Sequence, residues 1–267
     1  MREKVDFLRK FFISIVCFFI CTSSICSADI QIKFGYSDVE AFPFQINHEA
    51  QPPGIALEII TRVAKDIGIS IIFLQLPNKR VLHSLQKGEI DGAFMYSYKP
   101  ERESDGHFPM KNGKPDEKKR IATLSYYMYK LKDCPLQWDG EKLSCPDFNV
   151  INNKIGANTG YSIVDDLKNK GIEVDDGART TDQNFKKLLN KRIIGYAHQN
   201  LVADNYIKHN NITAIEKLPI PIVTKSYYLL FSHQFMKKNP QLAEKIWNHI
   251  AEVRESVTKD VAPKYSE

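Results

Sequence analysis

The sequence lacks the signatures of the commonest catalytic sites. It has no G-x-S-x-G elbow, no phosphate-cradling P-loop, no G-x-G-x-x-G and no H-E-x-x-H. The matching hydrolase, nucleotide-dependent and zinc-protease classes are therefore excluded, and no cofactor is implied. The seven histidines (His48, His83, His107, His198, His209, His233, His249) share no ligand spacing, so no metal site is expected. No repeat of about 20–50 residues is visible, which excludes solenoids and propellers. Like charges do not form long blocks, and no basic stripe interleaved with aromatics marks a nucleic-acid surface. No nucleic-acid partner is expected.

Cysteine is scarce, and most of it sits at the start. Cys17, Cys21 and Cys26 fall within a segment in which a basic stretch (Arg2, Lys4, Arg9, Lys10) precedes an apolar run from Phe11 to Cys21. Such a run is shorter than the roughly 20 residues a bilayer demands. It ends in small polar residues before Ala28, the pattern of a cleavable secretory signal. The alternatives are an uncleaved anchor, or a lipoprotein through Cys26. For the second, Ile25 stands where lipid attachment wants Gly, Ala or Ser. Cleavage after Ala28 would remove four basic and two acidic residues, lower the formal charge from +5 to +3 and leave a mature chain of 239 residues in the periplasm. Cys134 and Cys145 then remain as an even pair in an oxidising compartment and are expected to bridge. Closing so short a loop contributes about 3 kcal/mol. A metal or redox pair is the alternative, without C-x-x-C spacing to support it.

Past the leader, strand and helix patterns alternate. Ile30–Gly35 reads as a strand and Tyr36–Pro53 as a loop; Ile55, Ile59, Ile60, Val63 and Ile67 fall on one helical face before Gly68. Ile69–Leu74 and Ile90–Tyr96 are strand runs flanking a short helix, Lys79–Lys87. Residues 100–120 are charged and rich in Gly and Pro, so they read as loop. A tyrosine-dense strand, Ser125–Leu131, leads into a second series: strand Lys154–Ala157, helix Ser162–Lys170, strand Ile172–Val174, helix Thr181–Leu189, strand Ile193–Ala197 and helix Leu201–Lys208. An aromatic strand, Tyr227–Ser232, and a helix from about Asn239 close the chain. Alternation of this kind argues for mainly parallel sheets flanked by helices.

Four segments in order carry a family resemblance: Phe42-Pro43-Phe44 followed by Gly54-Ile55-Ala56-Leu57-Glu58-Ile59; Leu85-Gln86-Lys87-Gly88-Glu89-Ile90-Asp91-Gly92; Ser97-Tyr98-Lys99-Pro100-Glu101-Arg102; and Lys154-Ile155-Gly156-Ala157-Asn158-Thr159-Gly160-Tyr161-Ser162. They resemble the "PF…GFDVDL", "L..G..D", "SITPER" and "vGv..G.s" elements of the type II periplasmic solute-binding proteins that serve amino-acid ABC transporters. The resemblance implies an α/β, two-lobed fold, each lobe a mainly parallel sheet flanked by helices and joined to the other by a two-strand hinge. The expected division is signal peptide 1–28, lobe 1 29–127, lobe 2 128–225, and a return to lobe 1 with the C-terminal helix over 226–267. The crossings are expected near Tyr127–Leu131 and Val223–Tyr227.

The resemblance also implies a site. The position of Arg102 forks onto a ligand carboxylate, a task suited to a planar guanidinium. Ser162, after Gly160 at a helix start, is a second-lobe contact or an ordinary helix cap; Ser97 and Tyr161 belong to the same motifs. Phe42 and Tyr98 are expected to wall the cleft. Where the family has a threonine this chain has Lys99, and where it has the aspartate that holds an α-ammonium it has Gln199. A neutral amide cannot balance a buried cation, so an anionic ligand is favoured; Arg80 and Lys99 point the same way. Asp38 could instead meet an ammonium, or cap a turn. The function implied is capture of a small polar, carboxylate-bearing ligand by a monomer, without catalysis, for an ABC permease. A membrane sensor as partner, or a dehydratase activity on the same fold, are the alternatives.

Overall fold

Residues 30–146 and 153–265 are described by a computed structural model; the expected leader over residues 1–28 lies outside them. Strand β1 (Gln31–Ser37) opens with alternating exposed and buried residues and ends in four buried ones, as befits a strand covered on both faces. It runs parallel to β2 (Ser70–Leu76) and to β3 (Gly92–Ser97). Helix α1 (Ile55–Ile67) connects β1 to β2 and buries the expected stripe, including Ile55, Ile59, Ile60 and Val63. Its first N–H groups would be orphaned, but Ile55 and Ala56 donate to the carbonyls of Pro43 and Phe44 at 2.9 Å. This close approach explains Gly54: its φ is 123°, and a Cβ there would stand 2.5 Å from Phe44 O. Helix α2 (Asn78–Lys87) leads into β3.

The stretch expected as loop contains two 3-10 turns, Pro100–Ser104 and Glu117–Lys119, and a small hairpin of β4 (Met110–Lys111) and β5 (Lys114–Pro115). Strand β6 (Ala122–Leu131) is followed by a hairpin of β7 (Gln137–Trp138) and β8 (Leu143–Ser144). The second series is β9 (Ile155–Asn158), α3 (Ile163–Asn169), β10 (Val174–Ala178), α4 (Thr181–Leu189), β11 (Gly195–Gln199), α5 (Asn200–His209) and β12 (Ile215–Lys217). Strand β13 (Val223–Phe231), α6 (His233–Lys238) and α7 (Pro240–Val261) complete it. Apolar residues of α7, among them Ile246, Trp247 and Ile250, share the main core with those of α1, and Trp247 Nε1 donates to Leu229 O at 2.8 Å.

Among the described residues nine strands form one sheet, in the order β10-β9-β11-β6-β13-β3-β1-β2 with β12 beside β6. The two-lobed α/β architecture follows from this order. Parallel strands β2-β1-β3 lie on one side, parallel β10-β9-β11 on the other, and the antiparallel pair β6 and β13 joins them. Strand β13 pairs with β6 through Val223–Tyr227 and then with β3 through Tyr227–Phe231. Strand β6 pairs with β13 from Ala122 to Tyr126, then with β11 and β12 as far as Leu131. Val223–Tyr227 of β13 thus pairs with Ala122–Tyr126 of β6, the segment just before Tyr127–Leu131. Among the described residues no helix is long and apolar enough to cross a membrane.

Two expectations are corrected. The strand placed at Ile172–Val174 begins only at Val174, because Gly171 turns left-handed (φ 74°) and Ile172 N–H caps α3 by donating to Leu167 O at 3.0 Å. The expected Cys134–Cys145 bridge is absent: both thiols are free. Cys134 directs its Sγ to Ile194 O at 3.8 Å, Cys145 is buried in the main core, and the β7–β8 hairpin closes the loop by backbone pairing.

Candidate functional site

The site is built where the end of β3 meets the turn between β9 and α3. Past Ser97 the chain enters the Pro100–Ser104 turn, which returns Arg102 toward the strand it left: its Nη1 donates to Ser97 O at 2.7 Å and to Ser97 Oγ at 3.2 Å. Nη2 lies 3.5 Å from Gly160 O, on the opposite half, and the guanidinium carbon sits 5.4 Å from the centre of the Tyr96 ring. Arg102 is 8% exposed. The guanidinium has five N–H donors, so these contacts leave some of them free to grip a carboxylate.

Two further contacts close the same seam, and a third positions one of their partners. Ser97 Oγ and Ser162 Oγ are 2.9 Å apart, Asn78 Nδ2 lies 3.5 Å from Gly160 O, and Tyr96 OH donates to Asn78 Oδ1 at 2.8 Å. Gly160 has φ 78°, and a Cβ there would meet Asn78 Nδ2 at 3.1 Å, so the turn needs glycine both for its backbone and for the approach of the other half. Ser162 stands at the cap position of α3, but its hydroxyl makes no capping bond; it faces Ser97 and accepts from Lys225 Nζ at 2.8 Å.

Behind the seam lies a cavity of about 50 Å³ lined by Arg102, Ser97, Ser162, Tyr161 and Gly160, by Gln199 at the end of β11, and by Tyr126 and Tyr227 on the central strands. Ser37, Ala41, Gln45, Asn78, Phe94, Met95 and Tyr96 complete its wall. Gln199 Nε2 donates to Tyr227 OH at 2.8 Å and to Tyr126 OH at 3.2 Å, and the two phenol oxygens are 2.8 Å apart. Burial pushes the Tyr227 phenol up to about 12 and holds that of Tyr126 well above the ordinary range, so both remain neutral hydrogen-bonding groups. Arg102 is the one charged residue in this lining, among the described residues. Next to Gln199, His198 is buried and its pKa is driven down to about 3 by desolvation; Nε2 meets Thr181 Oγ1 at 2.9 Å, while Nδ1 has no partner among the described residues.

Five of the expected residues, Arg102, Ser97, Ser162, Tyr161 and Gln199, therefore gather around one cavity. The other five lie outside it. Lys99 forms an ion pair with Asp165 at the start of α3; burial lowers its pKa, with Arg102 and Lys225 acting in the same direction. Asp38 binds Arg179 across the halves at 2.9 and 3.1 Å. Phe42 packs on Tyr265 and His209, and lines a separate cleft with Asp38 and Arg179. Tyr98 turns away, donating to Glu103 Oε1 at 2.9 Å with its ring against Phe108, and Arg80 is exposed on α2.

Tyr126 and Tyr227 were not singled out from the sequence as site residues, although their strands stood out as tyrosine-rich. Met95 was missed for another reason. Tyr96 pairs with Tyr228 and Phe94 with Leu229, so Met95 is the extra residue of a bulge, and its φ is 63°. The bulge shifts the alternation: Phe94 joins one core and Tyr96 another. No group of three or more His, Cys, Asp or Glu is placed to hold a metal among the described residues.

The model of the bacterial extracellular solute-binding proteins, family 3, matches residues 32–265. Sequence comparison with curated proteins returns no match. Among solved structures, the GluR0 ligand-binding core in complex with L-glutamate is 15% identical, with a TM-score of 0.71 over 90% of this chain and 100% of that one. An ancestral arginine-binding protein bound to glutamine is 18% identical, with a TM-score of 0.66 over 88% and 97% of the two chains. An ABC uptake transporter substrate-binding protein from Streptococcus pneumoniae with bound histidine gives 16% identity and a TM-score of 0.66 over 88% and 92%. At these identities the likeness is one of fold.

Proposed function

The chain belongs to the bacterial extracellular solute-binding proteins, family 3, and from that premise we propose that it captures a small carboxylate-bearing solute between its lobes and hands it to an ABC permease without chemical turnover. The observation that carries this reading is a buried guanidinium, Arg102, which among the described residues is the sole charge lining a cavity at the seam of the two halves. A carboxylate placed there would take charge-assisted bonds worth about 1.5–3 kcal/mol each. Tyr161, Ser162 and Gln199 would close on it from the other half.

The lobes of the proposal are residues 29–127 with 226–267, and 128–225; they would rotate about β6 and β13, the two strands that run between them. Closure removes water and strengthens every polar contact in the cavity. Export to the periplasm by a leader removed after Ala28, and action as a monomer, complete the reading. Solute capture for an ABC importer is supported by the family and by neighbours such as the substrate-binding protein of an amino acid ABC transporter.

Calorimetric titration of the purified protein with a panel of amino acids and other small carboxylic acids tests it. Saturable binding that Arg102→Ala abolishes, with stoichiometry near one and no product formed, supports capture. Binding that survives Arg102→Ala removes the assigned site.

A further inference from the structure

Resting on the carboxylate-capture reading above, we propose that the cavity selects an acid that carries no ammonium group. An α-amino acid brings one negative and one positive charge, and a site that buries both must answer both. This cavity answers one. Its lining contains Arg102 and no carboxylate among the described residues.

Three carboxylates near the cavity are already engaged by partners outside the lining, and the half-buried Asp105 near Arg102 also lies outside the lining. Asp38 is taken by Arg179 at 2.9 and 3.1 Å, Asp165 by Lys99 and Asp166 by Lys225. Lys225 also donates to Ser162 Oγ, itself a lining residue, so Asp166 is held by Lys225 behind that wall and leaves no unpaired negative charge there. The group at the far side, Gln199, is a neutral amide whose nitrogen is spent on Tyr227 and Tyr126. Amide and phenol oxygens can accept a hydrogen bond but cannot neutralise a desolvated cation. A hydroxyl or carbonyl beside the carboxylate fits such a wall; an ammonium does not. The cavity of about 50 Å³ is also small: at about 10–15 Å³ per water it holds only a few water-sized groups, which favours a short acid.

Matched pairs of nearly equal size isolate the ammonium: glycolate and glycine, lactate and alanine, malate and aspartate, 2-hydroxyglutarate and glutamate. Each is titrated calorimetrically into the purified protein and into Arg102→Ala. The expected result is at least tenfold tighter binding of the hydroxy acid in every pair that binds, lost in Arg102→Ala. Amino acids that bind as tightly as their hydroxy partners or better, still through Arg102, overturn this inference and leave carboxylate capture standing. Failure of every pair to bind overturns both. Gln199→Glu supplies the missing negative charge and should move the preference at least tenfold toward the amino member; an unchanged ratio in the folded variant overturns the charge argument.

Discussion

Asp38 and Arg179 are joined across the two halves of the sheet, one guanidinium nitrogen standing 2.9 and 3.1 Å from the two carboxylate oxygens. Asp38 follows β1 and Arg179 follows β10, so under the proposed hinge motion the pair would form on closure. It is a clasp beside the cavity and not part of its lining.

The clasp is partly exposed, and such pairs contribute about 1 kcal/mol or less. Asp38→Asn should therefore weaken ligand affinity by no more than about fivefold, with the difference fading in high salt. Small-angle scattering should show more of the open form without ligand. A loss of a hundredfold or more would mean that Asp38 touches the ligand.

Gly160→Ala should oppose closure. The residue has φ 78°, where a side chain costs about 1–2 kcal/mol, and its Cβ would crowd Asn78 Nδ2 at 3.1 Å. The left-handed φ should lower thermal stability by about 1–2 kcal/mol with or without ligand, and the contact with Asn78 should weaken affinity in addition. Unaltered affinity would show that the halves do not meet at this turn in the liganded state.

His198 predicts a pH dependence with a definite sign. An unfolded histidine titrates near 6.5, whereas burial depresses the folded value to about 3. Below pH 6.5 the unfolded chain takes up a proton that the fold refuses. The contribution is complete above that pH and is lost progressively as the pH falls toward 3, with a slope approaching about 1.4 kcal/mol per pH unit. Urea unfolding of wild type and His198→Gln between pH 4 and 8 should show this component only in the wild type. Parallel pH profiles would contradict the burial of a neutral imidazole.

The parts of the fold that were legible in the sequence are those with local causes. Helix α1 announced itself by an apolar stripe and a terminal glycine. Helix α4 has the bounds expected, Thr181–Leu189, fixed by the reciprocal cap of Thr180 and Gln183. That Arg102, Ser97, Tyr161 and Ser162 line one cavity follows from short motifs, and Gln199 joins them at the position where the family resemblance places an aspartate. Tyr126 and Tyr227 were not, since they meet only through strand pairing across 101 residues of sequence. Tyr98 was misplaced for a related reason: nothing local reveals that Glu103 and Phe108 would draw it away from the cleft. The cysteine pair misled because an even count carries no information about where each thiol points.

A crystal structure of the protein with its bound solute tests the central claim most directly. The account predicts the solute's carboxylate within hydrogen-bond distance of the Arg102 guanidinium, enclosed by Tyr161, Ser162 and Gln199 from the second lobe. A solute seated elsewhere, with Arg102 still bonded to Ser97 and Gly160 as it is here, would contradict it.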